Sequence, residues 1–396
     1  MRVLIATFAE VPSLGFESEA ATEAAKALEA WCEVELFTPM VDATAHLEAF
    51  HGGRLHRVTF PQGEGVEAAA AAFRRGLERQ VESAAWDAVH VFSPVEGRLL
   101  ADRLPGDVPL VYQPQPIPTL LARLGAPGKE WLAKLAADEA VLVGRASAIL
   151  LHEASDASAL RYRRRLPPHV VLAEPVDLDL YHWEQLVPGV APVVLVLDPG
   201  LDEVSLGALD EALRSIPGAV VWRLELATAA LHVEPPPSPA VALGPWFSGA
   251  ADHAVPLRLA ARAALNAADV VVAAHPGAPE GAGVATSGRR WGILQAAACR
   301  RPLVVADSAG CPIPAGLAEH VFPFPAKDWA AMAGLVRSVL FHPAKAIQVA
   351  ERARRQVEAR HSAADFRRRL RAIYAGLLGD EPGLPRPAPV RLEGPP

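Results

Sequence analysis

Short runs of β-branched and other apolar residues alternate along the chain with longer stretches in which apolar residues recur every three or four positions. That alternation predicts parallel strands joined by crossover helices. In the first half the runs are RVLIATF (2–8), EVELFT (33–38), RLHRVTF (54–60), DAVHVF (87–92), VPLVYQ (108–113), ASAILLH (146–152) and HVVLAE (169–174). In the second half they are VVLVLD (193–198), AVVWRL (219–224), AVALG (240–244), DVVVAAH (269–275), PLVVAD (302–307) and HVFPF (320–324). Between the first two runs, Ala20, Ala24 and Leu28 stack at a four-residue spacing with Ala21 and Ala25 beside them. Such a narrow, small-residue stripe suits close packing on a sheet. Strands that are apolar nearly throughout predict sheets covered on both faces, so the expected class is α/β, with two doubly wound parallel-sheet domains in tandem.

The stretch VDLDLYHWEQLVPGVAP (176–192) interrupts the alternation with prolines and a glycine. It predicts an N-terminal domain over 1–178, a linker over 179–191 and a C-terminal domain over 192–378. One long helical pattern runs from Pro343 to about Leu378, and the proline-rich 379–396 predicts a disordered tail. In open α/β sheets ligands lie outside the carboxyl ends of the strands, which places the expected site in the crevice between the domains.

Composition narrows the function classes. A chain of 396 residues exceeds what one core serves. The net charge of −7 supplies no field for a polyanion, which excludes nucleic acid as a general partner. RYRRR (161–165) and RRR (367–369) lie in helical patterns and are read as solvated faces. The 3 cysteines, Cys32, Cys299 and Cys311, are too scattered for a disulfide framework or a zinc site and fit a reduced, cytoplasmic setting. The opening MRVLIATFAEVP meets an acid at Glu10 and reads as a first strand rather than a signal peptide. No run approaches the ~20 apolar residues of a membrane span. Without a G-x-S-x-G elbow, a P-loop or H-E-x-x-H, the hydrolase and NTPase readings lose their usual support.

From Ala268 to Leu378, ADVVVAAHP, WGILQAAACRRPLVVADSAGCP, HVFPFPAKDWAAMAGLVRSVL and a charged helix ending in LRAIYAGLL resemble the C-terminal domain of glycosyltransferase family four. VVLAEPVDLDLYHW is similar to that family's passage into its second domain, and DAVHVFSPVEGRLLA followed by DVPLVYQPQ to its first-domain strand pair. The order of these motifs holds from about residue 2 to 378. The resemblance implies a GT-B architecture, two Rossmann-like domains facing across a cleft, and a last helix packing back on the N-terminal domain. It also implies metal-independent, retaining transfer from a nucleotide-sugar to a polar acceptor such as a glycan or glycolipid precursor. No cofactor is expected beyond the nucleoside diphosphate-sugar donor.

A sugar leaving a nucleoside diphosphate builds negative charge on the β-phosphate, which cations and helix N-terminal amides can hold. The family places an arginine and a lysine after the first strand of its second domain, and two glutamates eight residues apart. On this sequence those positions fall on Gly200 and Val204, and on Ser287 and Gln295. The family's first-domain histidine falls on Gln115, and its paired glycines on Gly15 and Phe16. A glutamine amide still accepts a hydrogen bond from a ribose hydroxyl, but without the charge that strengthens it.

Arg289 and Arg290 directly precede the helix expected at 292–299. They are read either as the diphosphate grip or as exposed loop residues. The glycine-rich GAPEGAGVATSG (277–288) is read either as an amide cradle for phosphate or as a loop with no ligand. Gly244 and Trp246 of ALGPW stand beside the expected base pocket. The acids of DLD (177–179) are assigned to the boundary rather than to a metal, and His90 and His275 to structural roles. Two functions follow: a transferase with Arg289, Arg290 and Gln115 as its catalytic groups, or a catalytically inactive GT-B fold serving as a binding or scaffold subunit for a protein partner. Each missing polar group typically contributes ~2–4 kcal/mol to a transition state, which weighs toward the second.

Overall fold

The computed structural model describes residues 1–9, 11, 16–41, 47–50, 52–60, 65–114, 129–153, 160, 166–184, 191–198, 203–225, 230–234, 254–274, 291–307, 313–314 and 316–379. Their contacts form two units. Described residues within Met1–Val11, Glu17–Pro175 and Ala363–Pro396 make the first, and those within Pro12–Phe16 and Val176–Ser362 the second.

Unit 1 is built on an eight-stranded sheet. Its strands are β1 (Arg2–Ala6), β2 (Glu33–Val41), β3 (Leu47–Phe50), β4 (Gly53–Phe60), β5 (Ala88–Val91), β6 (Leu110–Tyr112), β7 (Ala148–Leu151) and β8 (His169–Val171), in the order β3-β4-β2-β1-β5-β6-β7-β8. Helix α1 (Phe16–Leu28) buries the predicted stripe, with Ala20, Ala21, Ala24 and Leu28 all fully enclosed. Helix α2 (Val66–Glu82) lies on the other face, where Phe73 meets Phe8 and Phe37 with ring centroids 5.2 Å apart in both pairs. Helices α3 (Pro94–Arg103) and α4 (Lys129–Arg145) approach closely at Gly97, where a side chain would run into Leu142.

Unit 2 carries β9 (Val193–Asp198), β10 (Val220–Glu225), β11 (Ala230–Glu234), β12 (Val270–Ala273), β13 (Leu303–Asp307) and β14 (Phe322–Pro325), in the order β11-β10-β9-β12-β13-β14. One face of this sheet, including Val194, Val196, Val270, Val272 and Val304, packs on α5 (Glu203–Arg214) through Leu209 and Leu213. The same face packs on α8 (Trp329–Phe341) through Met332 and Val336. Helices α6 (Ala254–Ala267), α7 (Trp291–Ala298) and α9 (Pro343–Arg360) complete the unit.

Each parallel sheet carries one antiparallel edge pair, β3 with β4 and β11 with β10, and two expectations need correction. LEAF and ALHVE escape the apolar-run criterion because an edge strand is covered on fewer sides and tolerates charge. The closing helical pattern is two helices, α9 and α10 (Ala363–Leu378). Between them His361 accepts a bond from the Val176 amide (2.6 Å) and Ser362 forms a parallel bridge with Val176, which takes the backbone out of helix. Finally, RRR at 367–369 is not simply a solvated face. Arg367 pairs with buried Glu23 (2.9 Å) and Arg369 donates to the Val171 carbonyl (2.6 Å), so α10 is fixed within unit 1 while Arg368 stays exposed.

The RYRRR cluster, the AVALG strand, Cys311 and the tail at 380–396 lie outside the described residues.

Candidate functional site

In a doubly wound sheet the ligand crevice opens where successive crossovers leave a strand in opposite directions. In unit 2 that point lies between β9, which leads to β10 on one side, and β12 on the other. Helix α7 reaches it because residue 292 is glycine. A Cβ there would come within 2.4 Å of Leu197 Cδ1, and Leu197, near the end of β9, is itself buried. Glycine therefore lets the first turn of α7 lie against the carboxyl end of the central strand.

Gln295 follows one turn later and is 1% exposed. At so buried a position a glutamine is far cheaper than a charged carboxylate. The other end of α7 is anchored by cations. Arg354 donates to the Ala298 carbonyl and to Tyr181 O (3.0 Å), and Arg301 to Ala268 O (3.1 Å) and Glu184 O (3.2 Å). The Arg354 guanidinium thus meets the negative end of the helix dipole. Arg300 adopts a left-handed φ of 56°, held by an ion pair with Glu351 and by the Trp183 ring 4.7 Å from its guanidinium carbon. Burial pushes the Cys299 thiol up to about 12 despite Arg301, Arg354 and Arg262 nearby, so it is inert as a nucleophile.

Asp177 Oδ1 accepts from the amides of Asp179 (3.1 Å) and Leu180 (3.0 Å). Val204, in the first turn of α5, is 84% exposed beside the acid Glu203. Gly15, Gln115, Gly200, Gly244, Trp246, His275, the 277–288 stretch with Ser287, and Arg289 and Arg290 lie outside the described residues. Among the described residues, no group of three or more His, Cys, Asp or Glu is placed to hold a metal ion, and no helix is long and apolar enough to cross a membrane.

The corresponding point of unit 1 lies between β1 and β5. There the start of α3 is occupied by its own acid. Ser93 caps the helix, accepting from Val95 N (3.1 Å), and Glu96 folds back to accept from the amides of Phe92 (3.0 Å) and Ser93 (2.6 Å) and from the Ser93 hydroxyl. Burial drives the Glu96 carboxyl up to about 7, against those hydrogen bonds. This group went unnoticed in the sequence, although S-x-x-E ahead of an apolar run is a helix-start signal. His90, on β5, is wholly buried, and burial lowers its basicity to about 3.

Two doubly wound units in tandem, with these strand orders, make the fold that of the GT-B glycosyltransferases. Solved structures agree. Sucrose-phosphate synthase from Thermosynechococcus elongatus superposes with a TM-score of 0.66 at 15% identity, over 94% of this chain and 98% of that one. HepE from Anabaena, in a complex with UDP and glucose, gives 0.60 at 17% identity, over 95% and 99%. WaaG, a glycosyltransferase involved in lipopolysaccharide biosynthesis, gives 0.59 at 15% identity, over 94% and 100%. No family model matches the sequence, and no curated protein matches it.

Proposed function

We propose that this chain is a nucleotide-sugar-binding protein related to glycosyltransferase family four, transferring a sugar without a metal and with retention of configuration to a polar acceptor. The observation that carries the reading is the seat of α7. Gly292 brings the amino end of that helix to the carboxyl end of β9, beside the switch point of unit 2. Helix amides at such a place favour a diphosphate. Arg289 and Arg290, immediately upstream, supply the positive charge that the family's arginine and lysine would otherwise give. Gln295 takes the ribose-facing role at the position of the family's second glutamate, and Gln115 that of its first-domain histidine. HepE, similar in fold, has also been solved in complex with UDP-glucose, which makes UDP the first nucleotide to try.

A silent binding protein is the second reading, and Val204 favours it. Where the resemblance implies a phosphate-facing lysine, the first turn of α5 instead presents an exposed valine beside an acid. Thermal melting against a panel of nucleoside diphosphates tests both readings. A ligand at a hundred times its dissociation constant adds ~2.7 kcal/mol, so a bound nucleotide raises the melting temperature measurably. Arg289→Ala and Arg290→Ala should remove that rise. No rise with any nucleotide ends the transferase reading. A rise without turnover of the nucleotide-sugar, across acceptors, selects the silent form.

A further inference from the structure

Beneath the carboxyl ends of β5 and β6, unit 1 encloses more hydrogen-bonding capacity than its described protein atoms satisfy. His90 and Gln113 are both 0% exposed. His90 is in register with Val111 across the parallel pair, and Gln113 follows Val111 by two residues. Side chains two apart on a strand share a face, so imidazole and carboxamide lie on the same side of the sheet. The Phe92 ring stacks on the imidazole at 4.6 Å and 10°, and the Tyr374 ring of α10 lies 6.2 Å from it at 37°.

Gln113 is near enough to His90 to oppose the loss of its basicity. Even so, neither Nδ1 nor Nε2 of His90, and neither Oε1 nor Nε2 of Gln113, meets a protein partner at hydrogen-bond distance and angle among the described residues. A buried polar group left dry lowers the folding equilibrium constant roughly five- to a hundred-fold. Two neighbouring side chains with unmet capacity therefore point to a third participant.

We propose that His90 and Gln113 form an internal site for a small neutral hydrogen-bonding guest, about one or two water molecules, that bridges β5 to β6 under α10. The chemistry selects the guest. A neutral imidazole offers one donor and one acceptor, and the carboxamide offers both kinds, which matches a molecule that donates and accepts at once. An ion would lose its hydration here with no opposite charge among these four atoms to replace it. The inference stands independently of any sugar-transfer reading.

Oxygen-17 magnetic relaxation dispersion counts long-lived internal waters in the intact protein. The double variant His90→Phe/Gln113→Leu should lose about one or two of them relative to the parent chain. In a urea double-mutant cycle each single change should lower the midpoint and the double should recover most of the loss, with a coupling of at least ~5-fold in the folding equilibrium constant. An unchanged water count overturns the proposal whatever the coupling, because a direct bond between the two side chains would then suffice. If the double variant does not fold, Gln113→Met on its own should still remove at least one water, and an unchanged count there has the same force.

Discussion

At the scale of single residues, the seat of α7 rests on a glycine whose missing side chain is the point. Gly292→Ala should cost about 1–3 kcal/mol in urea unfolding, because its Cβ has nowhere to go against buried Leu197. It should also weaken any nucleotide-induced rise in melting temperature. Gly207→Ala in α5, where a Cβ meets nothing within 4 Å, should instead stabilise by about 0.5–1 kcal/mol through helix propensity and chain entropy. Opposite signs at two helical glycines would separate close approach from intrinsic preference. Gln295→Glu carries the complementary expectation. A carboxylate at a position 1% exposed loses its hydration, so the change should destabilise by about 1–3 kcal/mol at pH 8. The loss should shrink toward pH 5 as the carboxyl takes up its proton.

Among elements, α10 is the one whose placement depends most on side-chain contacts. Glu23 of α1 is buried and holds both Lys26 (2.8 Å) and Arg367 (2.9 Å), while Arg371 donates to the Ala27 carbonyl (2.7 Å). Glu23→Ala should lower stability by about 1–3 kcal/mol in urea unfolding and speed proteolysis within 363–378, since it removes a buried carboxylate that α1 and α10 share through partly solvent-screened cations. The central strands of both units were legible from their apolar runs, because a strand covered on both faces has no room for alternation. β3 and β11 were not, since an edge strand such as LEAF or ALHVE keeps its charges. The break between α9 and α10 has only a faint local signal, Ser362 with Asp365 three residues later. What breaks the helix there is a bridge to Val176, far away in sequence. Of the residues nominated for the site, Gln295 lies on a helix at the position its sequence context predicts. Its enclosure could not be read from a pattern in which every residue of 292–298 is buried.

For the molecule as a whole, two buried groups should tilt stability with pH in opposite directions. His90 falls from 6.5 to about 3 on folding, so the unfolded chain binds the extra proton and stability is lost as pH drops below about 6.5. Glu96 rises from 4.5 to about 7, so the folded chain binds the extra proton and stability is lost as pH climbs from about 4.5 toward 7. Between those limits the two slopes oppose and leave the parent chain nearly flat from this pair. Urea unfolding across that window should therefore show His90→Phe losing stability with rising pH relative to the parent, and Glu96→Gln gaining it. Parallel curves for parent and variants would show that neither group titrates as its burial dictates.

A crystal structure of the protein soaked with UDP decides where the nucleotide sits. The expected result is a diphosphate against the amino end of α7, at the carboxyl ends of β9 and β12, with Arg289 or Arg290 on the phosphate oxygens. A nucleotide bound at the amino ends of those strands, or on unit 1 alone, would contradict it.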